Sequence, residues 1–523
     1  MQTRREFLKK VSQTAASVST MSMLICGCGE SLTKTPSRKK PNIVYILADD
    51  LGYGDVSSLN ENGKIKTENI DSIAEGGMVF TDAHSGSAVC TPTRYGVVTG
   101  RYAWRTHLKR GVLGGWSKPL IKSDRMTVAT MLKIKGYNTG CVGKWHLGWE
   151  WALTNKDAKT EDWQMDANNV DFSKPITNGP TTRGFDYFFG IAGSLDMSPY
   201  VYVENSLPTA VPDRIIEESS GKFFWRKGAI SPDFEHIDVL PTITKKAVGF
   251  IERQSANKPF FLYFPLTAPH KPIMPGKEFQ GKSGLNEWGD FVLQVDWTVG
   301  QVLKALKRKG LEENTLIIFT SDNGATPGAD FEQLEKWGHD PSYVFRGHKA
   351  DIFEGGHRIP FVAKWPDQIK PGSICDETIC LTDLMATAAD IVDYKLPDNA
   401  GEDSVSILPA FLGKNKTHLR EATVHHSAHG YFSIRKGKWK LLLSPGSGGW
   451  SYPREDRPEI KGFPPVQLYD LEADIEEKSN LQDKYPEKVK ELTALLQSYV
   501  DAGRSTPGKK QQNDGPTPIT KNK

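Results

Sequence analysis

Four short apolar runs, separated by stretches of different period, constrain this chain more than any other feature. In "PNIVYILADD" the run Ile43 to Ala48 is bounded by Pro41 and by Asp49 and Asp50. Similar runs follow in "GYNTGCVG" (136–143), "PFFLYFPL" (259–266) and "NTLIIFTSDNG" (314–324). Continuous apolar runs of this length read as buried strands. Helical patterns lie between them, as in "TVATMLKIKG" (127–136) and "DFVLQVDWTVGQVLKALKRKG" (290–310), the second stopped by Gly310. Strand and helix in alternation predict an α/β fold, with a mostly parallel sheet sandwiched by helices.

The residues that follow these strands carry unusual chemistry: Asp49 and Asp50, Lys144 and His146, His270, then Asp322 and Asn323. Open α/β sheets bind ligands beyond the carboxyl ends of their strands, so one fold would gather these distant positions into one site. Asp49, Asp50, Asp322 and Asn323 offer only hard oxygen donors, which select calcium or magnesium over zinc. Three carboxylates together repel one another unless a cation holds them, although any one alone reads equally as a helix cap. The rest of the composition narrows the class. Of 523 residues 38% are hydrophobic and 25% charged, which excludes wholesale disorder and a multi-span membrane protein. A formal net charge of +3 gives no electrostatic case for nucleic acid.

One cysteine needs its own explanation. The chain has six, and "SAVCTPTRYGVVTGRY" (Ser87 to Tyr102) places Cys90 in a polar run, where a structural cysteine would prefer apolar company. "CTPTR" followed by "VTGR" resembles the signature of formylglycine-dependent sulfatases, whose core is Cys-x-Pro-x-Arg. The resemblance continues in order through "ADDLGYGD", "GKWHLG", "APHKP", "SDNG" and "GHKADIFEGGHRIP", and covers residues 41 to about 503. Thr93 stands where Ser or Ala is usual, and Ile475 where a proline is common.

The resemblance implies an alkaline phosphatase-like fold and a sulfuric ester hydrolase. It implies that a maturation enzyme oxidises Cys90 to formylglycine (3-oxoalanine), and that calcium, or magnesium, is held by Asp49, Asp50, Asp322, Asn323 and the modified Cys90. Arg94, Lys144, His146, His270 and Lys349 are the implied catalytic groups. The hydrated aldehyde would attack sulfur, His270 and Lys349 would assist the leaving oxygen, and His146 would take a proton from the second hydroxyl. The implied substrate is a sulfated oligosaccharide or polysaccharide, with 6-O-sulfated galactose or N-acetylgalactosamine as the reading of the signature region. The specificity candidates are His107, Trp116, residues 193–205, Arg346, His348 and His357. Two other readings are a phosphomonoester or phosphonate hydrolase of the same superfamily and a catalytically silent glycan-binding lipoprotein.

The ends of the chain carry separate signals. Residues 1–28 read as an export signal, in which "TRREFLKK" resembles the twin-arginine type and "ICGC" a lipobox that would lipidate Cys28 and attach the protein to a membrane. The expected location is periplasmic or cell-surface. A polar linker (29–40) precedes the catalytic domain (41–415). Hairpin-like runs at 431–444 and 464–474 and an amphipathic helix at 485–503 predict a smaller C-terminal α+β subdomain (416–503), an antiparallel sheet with a helix packed on it. The tail 504–523, rich in Pro and Lys, is expected to be disordered at its end. Cys375 and Cys380 are close enough to bridge, and read equally as two thiols.

Overall fold

In the computed structural model, residues 40–155, 162–414 and 417–521 are described, so the segment read as an export signal and nearly all of the expected linker lie outside the described residues. The strands of the main sheet are β1 (Asn42–Asp49), β2 (Met78–Phe80), β3 (Asn138–Lys144), β4 (Tyr187–Ile191), β5 (Val203–Glu204), β6 (Leu207–Pro208), β7 (Phe260–Pro269), β8 (Thr315–Ser321), β9 (Phe361–Lys364) and β10 (Ser373–Cys375). Their order across the ten-stranded sheet is β10-β2-β9-β8-β1-β7-β3-β4-β5-β6. The central strands β8, β1, β7, β3 and β4 all run parallel. β9 runs antiparallel to β8 and β2, and β5 antiparallel to β4 and β6.

Seven helices frame the argument: α1 (Glu68–Glu75), α2 (Cys90–Thr99), α3 (Val128–Ile134), α4 (Val239–Glu252), α5 (Glu287–Arg308), α6 (Leu384–Ile391) and α7 (Pro486–Ala502). The unbroken apolar run of β1 is explained by burial on both faces. Ile43, Tyr45 and Leu47 join one core with Val97 and Val98 of α2, Leu132 of α3 and Met385 of α6. Val44, Ile46 and Ala48 join the other, with Ile70 of α1, Ile243 and Ala247 of α4, and Val295 and Val299 of α5. A strand's side chains alternate between faces, so each face of β1 needs its own helical layer.

A second sheet follows, of four antiparallel strands: β11 (Thr423–His426), β12 (Phe432–Lys436), β13 (Trp439–Leu442) and β14 (Gln467–Asp470). Leu492, Leu496 and Val500 of α7 pack on Val424, Ile434, Leu441 and Leu468, which fixes the helix to one face of this sheet. The tail departs from its expected disorder. Residues 504–521 lie against the body, where Arg101 Nη2 donates to the Gln512 carbonyl (2.9 Å), Asp514 N donates to the Arg105 carbonyl (2.7 Å), and Ile519 is buried. The buried guanidinium of Arg101 needs such acceptors, which a polar composition does not announce. Cys375 and Cys380 are unpaired, buried thiols. Among the described residues no helix is long and apolar enough to cross a membrane.

Candidate active site

Four neighbouring strands end at one place. Asp49 closes β1 and Asp50 follows it; Lys144 closes β3, with His146 two residues on; His270 follows β7; Asp322 and Asn323 follow β8. The parallel register that sets Ala48 opposite Ser321 and Asp49 opposite Pro269 brings these side chains together. α2 supplies the rest: Cys90 is its first residue, and Arg94 lies one turn later on the same face. Lys349 arrives from the loop before Asp351. Asp50 (φ 69°) and His146 (φ 54°) both sit in the left-handed region, a strained conformation for non-glycine residues that clusters where function fixes the backbone.

Every polar side chain of this cluster is buried. Lys144 Nζ lies 2.8 and 2.7 Å from the two Asp49 oxygens, and Lys349 Nζ 2.7 Å from Asp50 Oδ2. Arg94 clamps Asp322 Oδ2 from Nε (2.9 Å) and Nη2 (2.7 Å), and reaches Asp49 at 3.3 Å. Three carboxylates thus face three cations in a water-poor space. Burial alone would raise Asp49, but the Lys144 ammonium, with His270 and Arg94 behind it, holds its carboxyl well below the usual range. Asp322 is pushed up to about 6, by burial first and by Asp49 and Asp50 beside it, against the pull of Arg94. Carboxylates crowded to that degree are the mark of a place prepared for additional positive charge.

The oxygen donors of the cluster fit a hard divalent cation. Asp49 and Asp50 place a carboxylate oxygen each within 4.8 Å of one another, of Cys90 Sγ and of a His270 ring nitrogen. Asn323 adds the most direct indication. Its Nδ2 donates to Asp50 Oδ1 (2.8 Å) and to the Gly324 carbonyl (3.0 Å), which orients the amide and leaves Oδ1 buried with no partner. An orphaned buried carbonyl oxygen costs about 1–3 kcal/mol and needs an explanation. Oxygen ligation of calcium or magnesium by Asp49, Asp50, Asp322 and Asn323 supplies one.

The two histidines differ in setting. His146 Nε2 donates to the Leu113 carbonyl (2.7 Å), so Nδ1 carries a lone pair and is buried without a partner. Burial, then the Lys144 and Arg94 charges, holds His146 well below its ordinary value, as a neutral base. His270 Nδ1 donates to the Lys271 carbonyl (2.7 Å), leaving Nε2 3.7 Å from Asp50. Cys90 is 2% exposed, and burial pushes its thiol up to about 12 against the opposing pull of Lys144 and Lys349. The cysteine is presented to the cluster and not to solvent.

Comparison with known proteins decides what this arrangement belongs to. The family profile described as Sulfatase matches residues 41–394. An N-acetylgalactosamine-6-O-sulfatase of Bacteroides thetaiotaomicron is 36% identical, covering 91% of this chain and 96% of its own. The chain belongs to the sulfatase family. Human arylsulfatase A is 30% identical over 89% of each chain. A solved Bacteroides thetaiotaomicron structure described as a 6S-sulf protein of glycosaminoglycan metabolism superposes with a TM-score of 0.75, at 34% identity, covering 88% of this chain and 99% of its own.

Within this sulfatase, all the core residues expected from the sequence converge, whereas several specificity candidates are occupied by packing contacts. Trp116 is 3% exposed and packs against Trp151 and Phe172. His357 is fully buried, stacked on His425 at 3.9 Å and within 3.0 Å of Lys440 Nζ. Residues 193–203 are buried as well. Arg346 lies over the Phe353 ring and donates to the Glu477 carbonyl, His348 bonds to the Lys349 carbonyl, and His107 is exposed. Two residues that set the site were not signalled by their types. The Leu113 carbonyl orients His146, and Thr91 Oγ1 accepts from Leu113 N (3.2 Å), fastening that loop beside Cys90.

Proposed function

We propose that this sulfatase hydrolyses 6-O-sulfate esters of N-acetylgalactosamine, or of galactose, in sulfated glycans, after conversion of Cys90 to formylglycine. The observation that carries the reading is the state of Cys90. A thiol held protonated up to about pH 12 is a poor nucleophile, yet it stands within 4.8 Å of ligand atoms of Asp49, Asp50 and His270, among the charged groups of the cluster. Oxidised to an aldehyde and hydrated, the same position supplies one oxygen to attack sulfur and a second hydroxyl whose deprotonation releases sulfate. A serine has one hydroxyl and cannot perform the second act.

The surrounding residues divide the work. Lys144, which lies on both Asp49 oxygens, and Arg94, which clamps Asp322, bind the sulfate oxygens, and the N-terminus of α2 adds its partial positive charge. The unpartnered Nδ1 of His146 accepts the proton of the second hydroxyl. Lys349 is raised by Asp50, Cys90 and Asp49 despite burial, and stays charged to stabilise the departing sugar oxygen, which His270 Nε2 faces. Asp49, Asp50, Asp322 and Asn323 would hold calcium, with magnesium as the substitute, and the ion would supply Lewis-acid chemistry there. Three carboxylates face Arg94, Lys144 and Lys349, so a bound divalent ion would leave the site with net positive charge for a sulfate.

The choice of sugar is supported by the names of relatives, an N-acetylgalactosamine-6-O-sulfatase at 36% identity and a mouse N-acetylgalactosamine-6-sulfatase at 27%. The amino-terminal signals support export by the twin-arginine route, with lipid attachment at Cys28 and action outside the cytoplasm. Matured protein is tested on N-acetylgalactosamine carrying one sulfate at position 4 or at position 6. Faster release from the 6-sulfate is expected; preference for the 4-sulfate overturns the assignment of position.

A further inference from the structure

Beside the catalytic cluster a second group of cations gathers with no carboxylate bound to it. Arg110 begins the stretch that leads to Leu113, whose backbone fastens to Thr91 and His146. Gly111 N donates to the Ala428 carbonyl (2.8 Å), and Ala428 N donates to the Ala350 carbonyl (3.0 Å), the residue after Lys349. The loop around Ala428 therefore packs beside Val89 and Ala350, the residues next to Cys90 and Lys349. At Gly430 (φ 82°) a Cβ would lie 2.5 Å from the Lys109 carbonyl and 3.4 Å from Arg110 Cβ, so only glycine admits Arg110 so close to this loop. On the same loop, Lys521 Nζ donates to the His429 carbonyl and stands 4.2 Å from the centre of the Tyr431 ring.

Arg110 and Lys521 are exposed, and among the described residues neither forms an ion pair. Lys109 is half-buried, with its ammonium on two neutral oxygens, the Trp104 carbonyl (2.7 Å) and Thr517 Oγ1 (2.8 Å). Glu455 acts on Lys521 from the other side, but its Oε1 is already taken by the Ser444 hydroxyl and the Gly448 amide. The protein surface packed around the Lys521 ammonium lowers it from its ordinary value, with Arg110 adding to the fall, and burial pushes Lys109 down to about 8 against the pull of Asp514. Glu455 and Asp514 act on Lys521 and Lys109 without forming an ion pair, and cations left without a contacting carboxylate favour an anion from outside the protein. Arg110 lies three residues from Leu113, so its Cα is within about 11 Å of Leu113 Cα, a separation that a neighbouring sugar ring bridges.

The geometry points to a second anion subsite, formed by Arg110 and Lys521 beside the sulfatase centre, that takes a sulfate or carboxylate carried by the sugar adjoining the one being desulfated. This rests on the reading of the site as a glycan sulfatase and deepens it, making the substrate a polyanionic oligosaccharide and not an isolated monosulfated sugar. The carboxy-terminal tail, through Lys521, then takes part in recognition.

Two probes separate the anion's source: a 6-sulfated N-acetylgalactosamine joined to a uronic acid, and the same sugar joined to a sulfated neutral sugar. The monosulfated monosaccharide is the reference. In the Arg110→Ala, Lys521→Ala double variant, the ratio of kcat/KM for a doubly charged probe to that for the monosaccharide should fall about tenfold, as for the loss of two partly solvated charge contacts. Arg110→Lys with Lys521→Arg should restore it. A larger fall with the uronic acid assigns a carboxylate, and a larger fall with the sulfated sugar assigns a sulfate. Binding of the same probes to full-length Cys90→Ser protein, followed against salt, reads the subsite without turnover. If the double variant leaves both the ratio and the salt slope unchanged, the subsite is overturned even where sulfate release is normal. If neither probe is hydrolysed while binding still depends on Arg110 and Lys521, the glycan sulfatase reading fails and the subsite stands.

Discussion

At the scale of single residues, Asn323 shows how a site can be read from what it lacks. Its amide is oriented by two acceptors, and the oxygen left over is buried and bare. Removing a divalent ion should therefore abolish sulfate release, with return on adding calcium and a weaker return with magnesium. It should also lower the melting temperature, because an ion bound only by the folded state stabilises it. Metal-free protein that keeps both activity and melting point would refute this. Asp49, Asp50, Lys144, His146, His270, Asp322 and Asn323 were legible because each sits at or just after a strand end and carries chemistry no strand terminus requires, whereas Cys90, Arg94 and Lys349, on a helix and a loop, were legible only through their motifs. The rim was not legible. Trp116 and His357 have the residue types of sugar contacts, but their burial against Trp151 and His425 depends on distant segments that no local pattern records.

At the scale of elements, α2 explains the second half of the cysteine signature. Gly100 ends the helix at φ 64°, and its amide bonds to the Gly96 carbonyl. A Cβ there would approach Met385 Cβ to 2.7 Å and Gly401 Cα to 2.9 Å. Gly100→Ala is expected to cost at least about 1 kcal/mol for the left-handed turn alone, and more for the contacts, measurable by denaturant unfolding. A variant as stable as the parent would show that the turn does not anchor the helix. The long central strands were visible as apolar runs, as was α5, which begins at Glu287 because Asn286 caps it, slightly before its apolar pattern. The two-residue strands β5 and β6 escaped, since so few residues establish no alternation.

Across the whole molecule, buried histidines tie stability to pH. His236 stacks on Trp225 with Nε2 unpartnered, and burial pushes it down to about 4, with Asp196 acting weakly the other way. Its folded value lies below the ordinary 6.5, so the unfolded chain takes up the proton first. Stability is lost as pH falls from about 6.5 towards about 4, at up to about 1.4 kcal/mol per pH unit. His236→Phe keeps the ring and should flatten the pH dependence of the melting temperature over that range; an unchanged slope would contradict the assignment. The central claim, that a sulfatase site works through a modified Cys90, is tested most directly by sulfate release from N-acetylgalactosamine 6-sulfate, measured on preparations whose aldehyde fraction at residue 90 is known from peptide mass. The rate should rise in proportion to the aldehyde fraction and extrapolate to zero for the pure thiol. Equal rates from thiol and aldehyde preparations would contradict it.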